Sequence, residues 1–201
     1  MSRSPDPDPP TPPRPDAATP ENPWRTLGSR PVYENPWIRV REDHVVRPDG
    51  APGIYGVVEF KNRAVGVLPV EDDGSVWLVG QHRYPLDAYS WEIPEGGCPI
   101  SESPEATAIR ELKEETGLSC RSLELVATSH LSNSVSDEIA YIFRATGLTP
   151  GESEPEGTER LEVCRVPWDE AWRMLRRGEI TDSMSVIAIL HEATRRLGGR
   201  D

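Results

Sequence analysis

Apolar residues along this chain follow two periods. Trp37-Ile-Arg-Val-Arg alternates, as a half-buried strand does. Tyr55-Gly-Val-Val-Glu-Phe reads as a second strand, with the turn Arg47-Pro-Asp-Gly-Ala-Pro-Gly before it. Strand signals therefore cover Trp24 to Phe60. The runs Ala64–Val70 and Val76–Gln81 are apolar nearly throughout. They predict strands of a buried central sheet that pair around Glu71-Asp-Asp-Gly-Ser. Leu123–His130, the run from Glu138 to Ala145, and Leu161–Val166 predict three further strands. Elsewhere the spacing turns helical. Ala171, Met174 and Leu175, then Val186, Ile187, Ile189 and Leu190, predict two closing helices, Trp168–Arg176 and Asp182–Leu197, whose apolar faces enter the core.

A further helix lies between Ser103 and Gly117. Ser103 suits the N-cap, Pro104 the first helical position, and Gly117 the C-terminal stop. Ile109, Leu112 and Thr116 share a face that can pack inward. Glu111, Glu114 and Glu115 stand at i, i+3 and i+4, so their carboxylates share a neighbouring face. Three carboxylates so close repel one another unless a cation sits among them, and hard oxygen donors suit Mg²⁺ or Mn²⁺. The plainer alternative is a solvated acidic face with Arg110 and Glu114 as an i,i+4 pair.

Composition narrows the classes. The chain has 201 residues and a formal net charge of −12. That length suits one domain with a core plus a tail. The charge argues against a nucleic-acid surface, which is normally basic, but leaves room for a nucleotide bridged to acidic residues by a cation. Cys98, Cys120 and Cys164 are isolated and odd in number, so a reducing cytoplasm is expected rather than a disulfide framework or structural zinc. No run is apolar enough to predict a membrane span or signal peptide. Residues 1–23 are rich in Pro, Asp, Thr and Ser and predict a disordered tail.

Gly96, Glu102, Arg110-Glu111-Leu112, Glu114-Glu115 and Gly117-Leu118 together resemble the Nudix box at every defining position. The likeness runs from about Val32 to about Leu197. It implies an α/β/α sandwich with a mixed β-sheet over residues 61–201, and N-terminal strands over 24–60 used in homodimerisation. It implies that Glu111, Glu114 and Glu115 hold Mg²⁺ or Mn²⁺, joined by a donor at Glu95 or Gly96. Glu102 and Arg110 would pair to fix the loop against the helix. The stretch from Gln81-His-Arg-Tyr-Pro to Ser90-Trp-Glu-Ile-Pro-Glu-Gly-Gly resembles the branch that cleaves ADP-ribose and other nucleoside diphosphate sugars. There, Arg83 would contact substrate phosphates, with Glu92 and Gly97 beside it. The alternative for Arg83 is a salt bridge at a sheet edge. Ser132-Asn133-Ser134 replaces the proline usual in ADP-ribose hydrolases, which leaves GDP-mannose and similar sugars open. The general base would come from the acidic loop after the box, Glu159 in preference to Glu156. Trp91 and the group Trp24, Tyr33 and Trp37 are read as core or interface residues, with base stacking the alternative. Other readings are a triphosphate or dinucleoside polyphosphate hydrolase and a non-catalytic sugar-nucleotide sensor.

Overall fold

A computed structural model describes residues 21–152 and 161–198. Residues 1–20 of the expected tail over 1–23, and Glu156 and Glu159, lie outside the described residues.

Strands β1 (Arg25–Glu34), β2 (Ile38–Val46) and β3 (Pro52–Phe60) form an antiparallel sheet in that order. Asn35 Oδ1 makes the first reversal by accepting from the N–H groups of Trp37 and Ile38, both at 2.8 Å. The pairing of β1 with β2 shifts register twice, between Thr26 and Gly28 and between Pro31 and Tyr33. This sheet meets the rest of the chain through the loop over residues 131–138. Val58 N–H donates to Val135 O at 2.8 Å, Tyr55 Oη to Ser134 O at 2.6 Å, and Phe60 N–H to Asp137 Oδ1 at 2.8 Å.

The central sheet has the order β7 (Glu95–Cys98), β4 (Arg63–Pro69), β10 (Ile139–Thr146), β9 (Ser122–His130). The β4–β10 pair is parallel and the others antiparallel, which makes the sheet mixed. A second antiparallel sheet has the order β12 (Glu162–Val166), β5 (Val76–Arg83), β6 (Ala88–Glu92). The short strands β8 (Leu118–Ser119) and β11 (Thr149–Pro150) pair with each other. The expected hairpin of β4 and β5 does not form. The two strands meet only at the Val70–Val76 bridge and then diverge into different sheets.

Helices α1 (Pro104–Thr116), α2 (Trp168–Arg177) and α3 (Ser183–Gly198) enclose two cores. Alternate residues of β4 and β10 point to opposite faces. Val65, Val67, Phe143 and Ala145 pack with Ala108 and Leu112 of α1. Leu68, Ala140 and Ile142 pack with Leu78, Ile93, Ala171, Met174, Ala188 and Ile189 under α2 and α3. Sheet between helices is the expected sandwich. Two packing expectations change. Ile109 is 51 % and Leu190 45 % exposed, and their places inside are taken by Ala108 and Ala188. At the crossing between the two sheets, Ser185 Oγ accepts the N–H of Ile93 at 2.9 Å, so this buried amide, which lies between β6 and β7, keeps a partner. That bond ties α3 to the segment leading into Glu95.

Candidate active site

Helix α1 begins and ends as its sequence requires. Ser103 Oγ accepts the N–H of Ala106 at 3.2 Å, and Gly117, at φ 71°, donates to Lys113 O at 2.8 Å. Its buried stripe is Thr107, Ala108, Glu111, Leu112 and Glu115. Ala108 and Leu112 anchor the stripe in the core, which carries Glu111 and Glu115 against β7 and leaves Glu114 on the outer side. Glu115 Oε2 accepts the N–H of Glu95 at 3.1 Å. Gly96 permits the closest approach of all. A Cβ there would lie 2.2 Å from Glu111 Oε1 and 2.7 Å from Oε2, so the Glu111 carboxylate occupies the space that any side chain would take.

Arg110 ties this group together. Its Nη1 donates to Glu111 Oε1 and Glu114 Oε2, both at 2.8 Å, and its Nη2 to Glu102 Oε2 and Gly97 O, both at 3.3 Å. The structure thus brings Glu102, Gly97, Arg110, Glu111 and Glu114 to one place, with Glu95 and Glu115 behind them. All of these but Glu115 line a cavity of about 530 Å³, together with Trp37, Asn62, Gly96 and Pro99. A second cavity of about 280 Å³ adjoins it, sharing Trp37, Asn62, Glu95, Gly96 and Gly97 and adding Phe60, Arg63, Ala64, Arg83, Glu138 and Met184.

Arg83 lines the second cavity and is held by the protein. Its Nε donates to Glu92 Oε1 at 2.9 Å, and its Nη2 donates to Glu92 Oε2 at 2.5 Å and Glu95 Oε1 at 2.6 Å. The salt bridge weighed as the alternative for Arg83 is therefore present, with Glu92 buried beneath it. Nη1 takes no part in these bonds. Burial, then the charges of Asp182 and Glu92, push the Glu95 carboxyl well above the usual carboxylate range. Burial, then Asp137 and Asp182, raise Glu138 in the same way.

The residues fit a divalent cation by donor chemistry. Glu95, Glu111, Glu114 and Glu115 offer hard oxygens, and Glu95 Oε2 is sealed from solvent without a hydrogen-bond partner among the described residues. As they lie, no three His, Cys, Asp or Glu side chains among the described residues converge closely enough to hold an ion. Arg110 already bonds Glu111 and Glu114, so a cation must share these carboxylates with the guanidinium.

Several lining residues were not expected at the site, Trp37, Asn62 and Glu138 among them. Trp37, expected in the core or at an interface with base stacking as the alternative, is 67 % exposed and so is not core. Its phase could have shown this: along Trp37-Ile-Arg-Val-Arg it alternates with Arg39 and Arg41, not with Ile38 and Val40. Trp24 and Tyr33 are exposed as well, and Trp24 meets Tyr55 edge-on with ring centroids 5.2 Å apart. Trp91 alone of the group packs against the core. Asn62 and Glu138 carry no local signal; only the meeting of β3, β4 and β10 places them at the cavity.

The profile of the NUDIX domain matches residues 60–185, and that of the nucleoside diphosphate sugar hydrolase N-terminal domain matches residues 24–58. The ADP-ribose pyrophosphatase of Bacillus subtilis (strain 168) is 32 % identical over 167 residues, covering 82 % of this chain and 90 % of that protein. That of Mycobacterium tuberculosis is 31 % identical over 173 residues, covering 85 % and 83 %. The methanol dehydrogenase activator of Bacillus methanolicus is 29 % identical, covering 82 % and 90 %. A crystal structure of an ADP compounds hydrolase superposes with a TM-score of 0.79 at 22 % identity, covering 89 % of this chain and 97 % of that one, a likeness of fold.

Proposed function

The chain belongs to the Nudix family, and we propose that it is a metal-dependent pyrophosphohydrolase that splits nucleoside diphosphate sugars into a nucleoside monophosphate and a sugar phosphate. The observation that carries this reading is the carboxylate face of α1 laid against Glu95 and Gly96 at a cavity. The matched N-terminal domain and the ADP-ribose pyrophosphatase relatives support the substrate class.

An anionic diphosphate entering acidic walls needs counter-charge. Glu111, Glu114 and Glu115, with a donor at Glu95 or Gly96, would hold Mg²⁺ or Mn²⁺, which supplies Lewis acidity and lowers the pKa of a bound water. The protein's own groups do the rest. Glu102 and Gly97 O hold Arg110, and Arg110 orients Glu111 and Glu114. Arg83, braced by Glu92 and Glu95, offers Nη1 to a phosphate oxygen. Trp37 presents an exposed indole at both cavities as a stacking wall for the base. Glu159 remains the proposed general base. Glu138, half-buried at the second cavity with a raised pKa, is the described carboxyl that could serve in its place.

The β1–β3 sheet exposes Leu27, Val32, Tyr33 and Ile54. Such a face supports a homodimer built on these strands; a monomer by light scattering at assay concentration would remove it. No described helix is long and apolar enough to cross a membrane. The three free cysteines suit a reducing cytoplasm.

The decisive experiment offers ADP-ribose, ADP-glucose, GDP-mannose, UDP-glucose, diadenosine polyphosphates and nucleoside triphosphates with Mg²⁺, and repeats each with chelator. The expected result is chelator-sensitive release of a nucleoside monophosphate from at least one diphosphate sugar. Cleavage of triphosphates alone would transfer the chain to another branch of the family. Binding without cleavage would make it a sensor.

A further inference from the structure

Arg63 opens β4 opposite Cys98 of β7. Its Nη2 donates to Pro99 O at 2.9 Å and to Glu102 O at 2.5 Å. These carbonyls flank one turn, in which the N–H of Glu102 donates to Pro99 O at 3.0 Å. Cys98 Sγ approaches the same two oxygens, at 3.6 and 3.5 Å. Arg63 Nε is sealed from solvent and has no hydrogen-bond partner among the described residues. Arg83 and Arg110 spend their charge on carboxylates, whereas both acceptors of Arg63 are neutral carbonyls. Sealing part of a guanidinium beside neutral acceptors is unfavourable, so stability alone is a poor reason for it.

The turn from Pro99 to Glu102 is the sole covalent link between β7 and the N-cap of α1. It also carries the Glu102 carboxylate that receives Arg110. Any drift of the turn relative to β4 moves Glu102, then Arg110, then the two carboxylates that Arg110 holds. We propose that Arg63 is a positioning residue for the cation site: it pins this turn to the central sheet, so that the Glu102–Arg110 pair keeps Glu111 and Glu114 where a divalent cation can use them. The proposal rests on the reading of these glutamates as metal ligands.

The test uses the full chain. Mn²⁺ binding is measured by calorimetry, and the Mg²⁺ concentration for half-maximal hydrolysis by assay, in wild type, Arg63→Met, Arg63→Lys, Glu102→Gln and the Arg63→Met/Glu102→Gln double variant. Arg63→Met is expected to weaken Mn²⁺ binding and raise the half-maximal Mg²⁺ concentration about tenfold. Its kcat at saturating Mg²⁺ stays within about threefold of wild type. Arg63→Lys recovers most of the loss, because an ammonium has donors for both carbonyls. Since Arg63 acts through Glu102, the double variant is no worse than the worse single one. Unchanged metal constants in a folded Arg63→Met overturn the proposal, as do a loss confined to kcat or thermal stability and full additivity in the double variant. If Arg63→Met does not fold, Arg63→Lys decides: a weakening of Mn²⁺ binding by about twofold supports the role, and none removes it. A wild type without divalent-dependent hydrolysis would sink the hydrolase reading alone, because Mn²⁺ binding still reports on Arg63. Normal hydrolysis with unaltered variants would sink Arg63 alone.

Discussion

Glu115→Gln leaves the protein folded and lowers kcat by about 10²- to 10³-fold, since a carboxylate that helps hold a catalytic cation is worth several kcal/mol and each 1.36 kcal/mol is tenfold. The substitution removes one charge and almost no volume. Glu115 is 3 % exposed and accepts the Glu95 N–H through Oε2. A glutamine oxygen can keep that bond, so the tie between α1 and β7 survives. What goes is the anionic donor beside Glu111. The measurement is kcat at saturating Mg²⁺, set beside near-UV circular dichroism and the thermal midpoint. A folded variant with normal turnover would take Glu115 out of the metal set.

Gly96→Ala separates site geometry from site charge. The φ of Gly96 lies outside the left-handed region, so alanine meets no backbone strain. Its methyl meets the end of the Glu111 side chain, at 2.2 Å from Oε1 and 2.3 Å from Cδ. That end is flexible, so the fold tolerates the change by turning the carboxylate aside. Displacing a reacting or ligating group by about 1 Å costs about 10²-fold in rate. We therefore expect kcat/KM to fall by about 10- to 10²-fold with little change in the midpoint of urea unfolding. A loss of stability that matches the loss of rate would make Gly96 a folding residue, and unchanged kinetics would show that Glu111 does not act from its present position.

The sequence was most legible where one helix carries both packing and chemistry. Ser103, Pro104 and Gly117 mark the ends of α1, and the spacing of Glu111, Glu114 and Glu115 shows that they cluster. The choice of inward face held at Leu112 and missed at Ile109, which looked the better core residue than Ala108. The wheel is settled instead by Ala108 and Leu112, which place Glu111 and Glu115 beside β7 and turn Ile109 outward. The β4–β5 hairpin failed for a related reason. A short turn between two apolar runs predicts local pairing, but β4 pairs instead with β7 and β10, which lie farther along the chain. The neighbours of Arg83 lie only 9 and 12 residues away, but period alone could not show that Glu92 and Glu95 would both face it. Trp37 could have been placed from its phase with Arg39 and Arg41; its indole was assigned by residue type instead.

The two register shifts of β1 bear on how copies of this chain can meet. β1 is an outer strand, and all ten of its residues are exposed. A long, regular outer strand is a template for adding further strands without limit. Here the ladder is broken near Gly28 and again near Pro31, a residue that lacks the N–H such addition needs. The homodimer proposed above would close on itself once two copies had met, while growth along the edge is discouraged. The same strand therefore favours a finite assembly over open-ended aggregation.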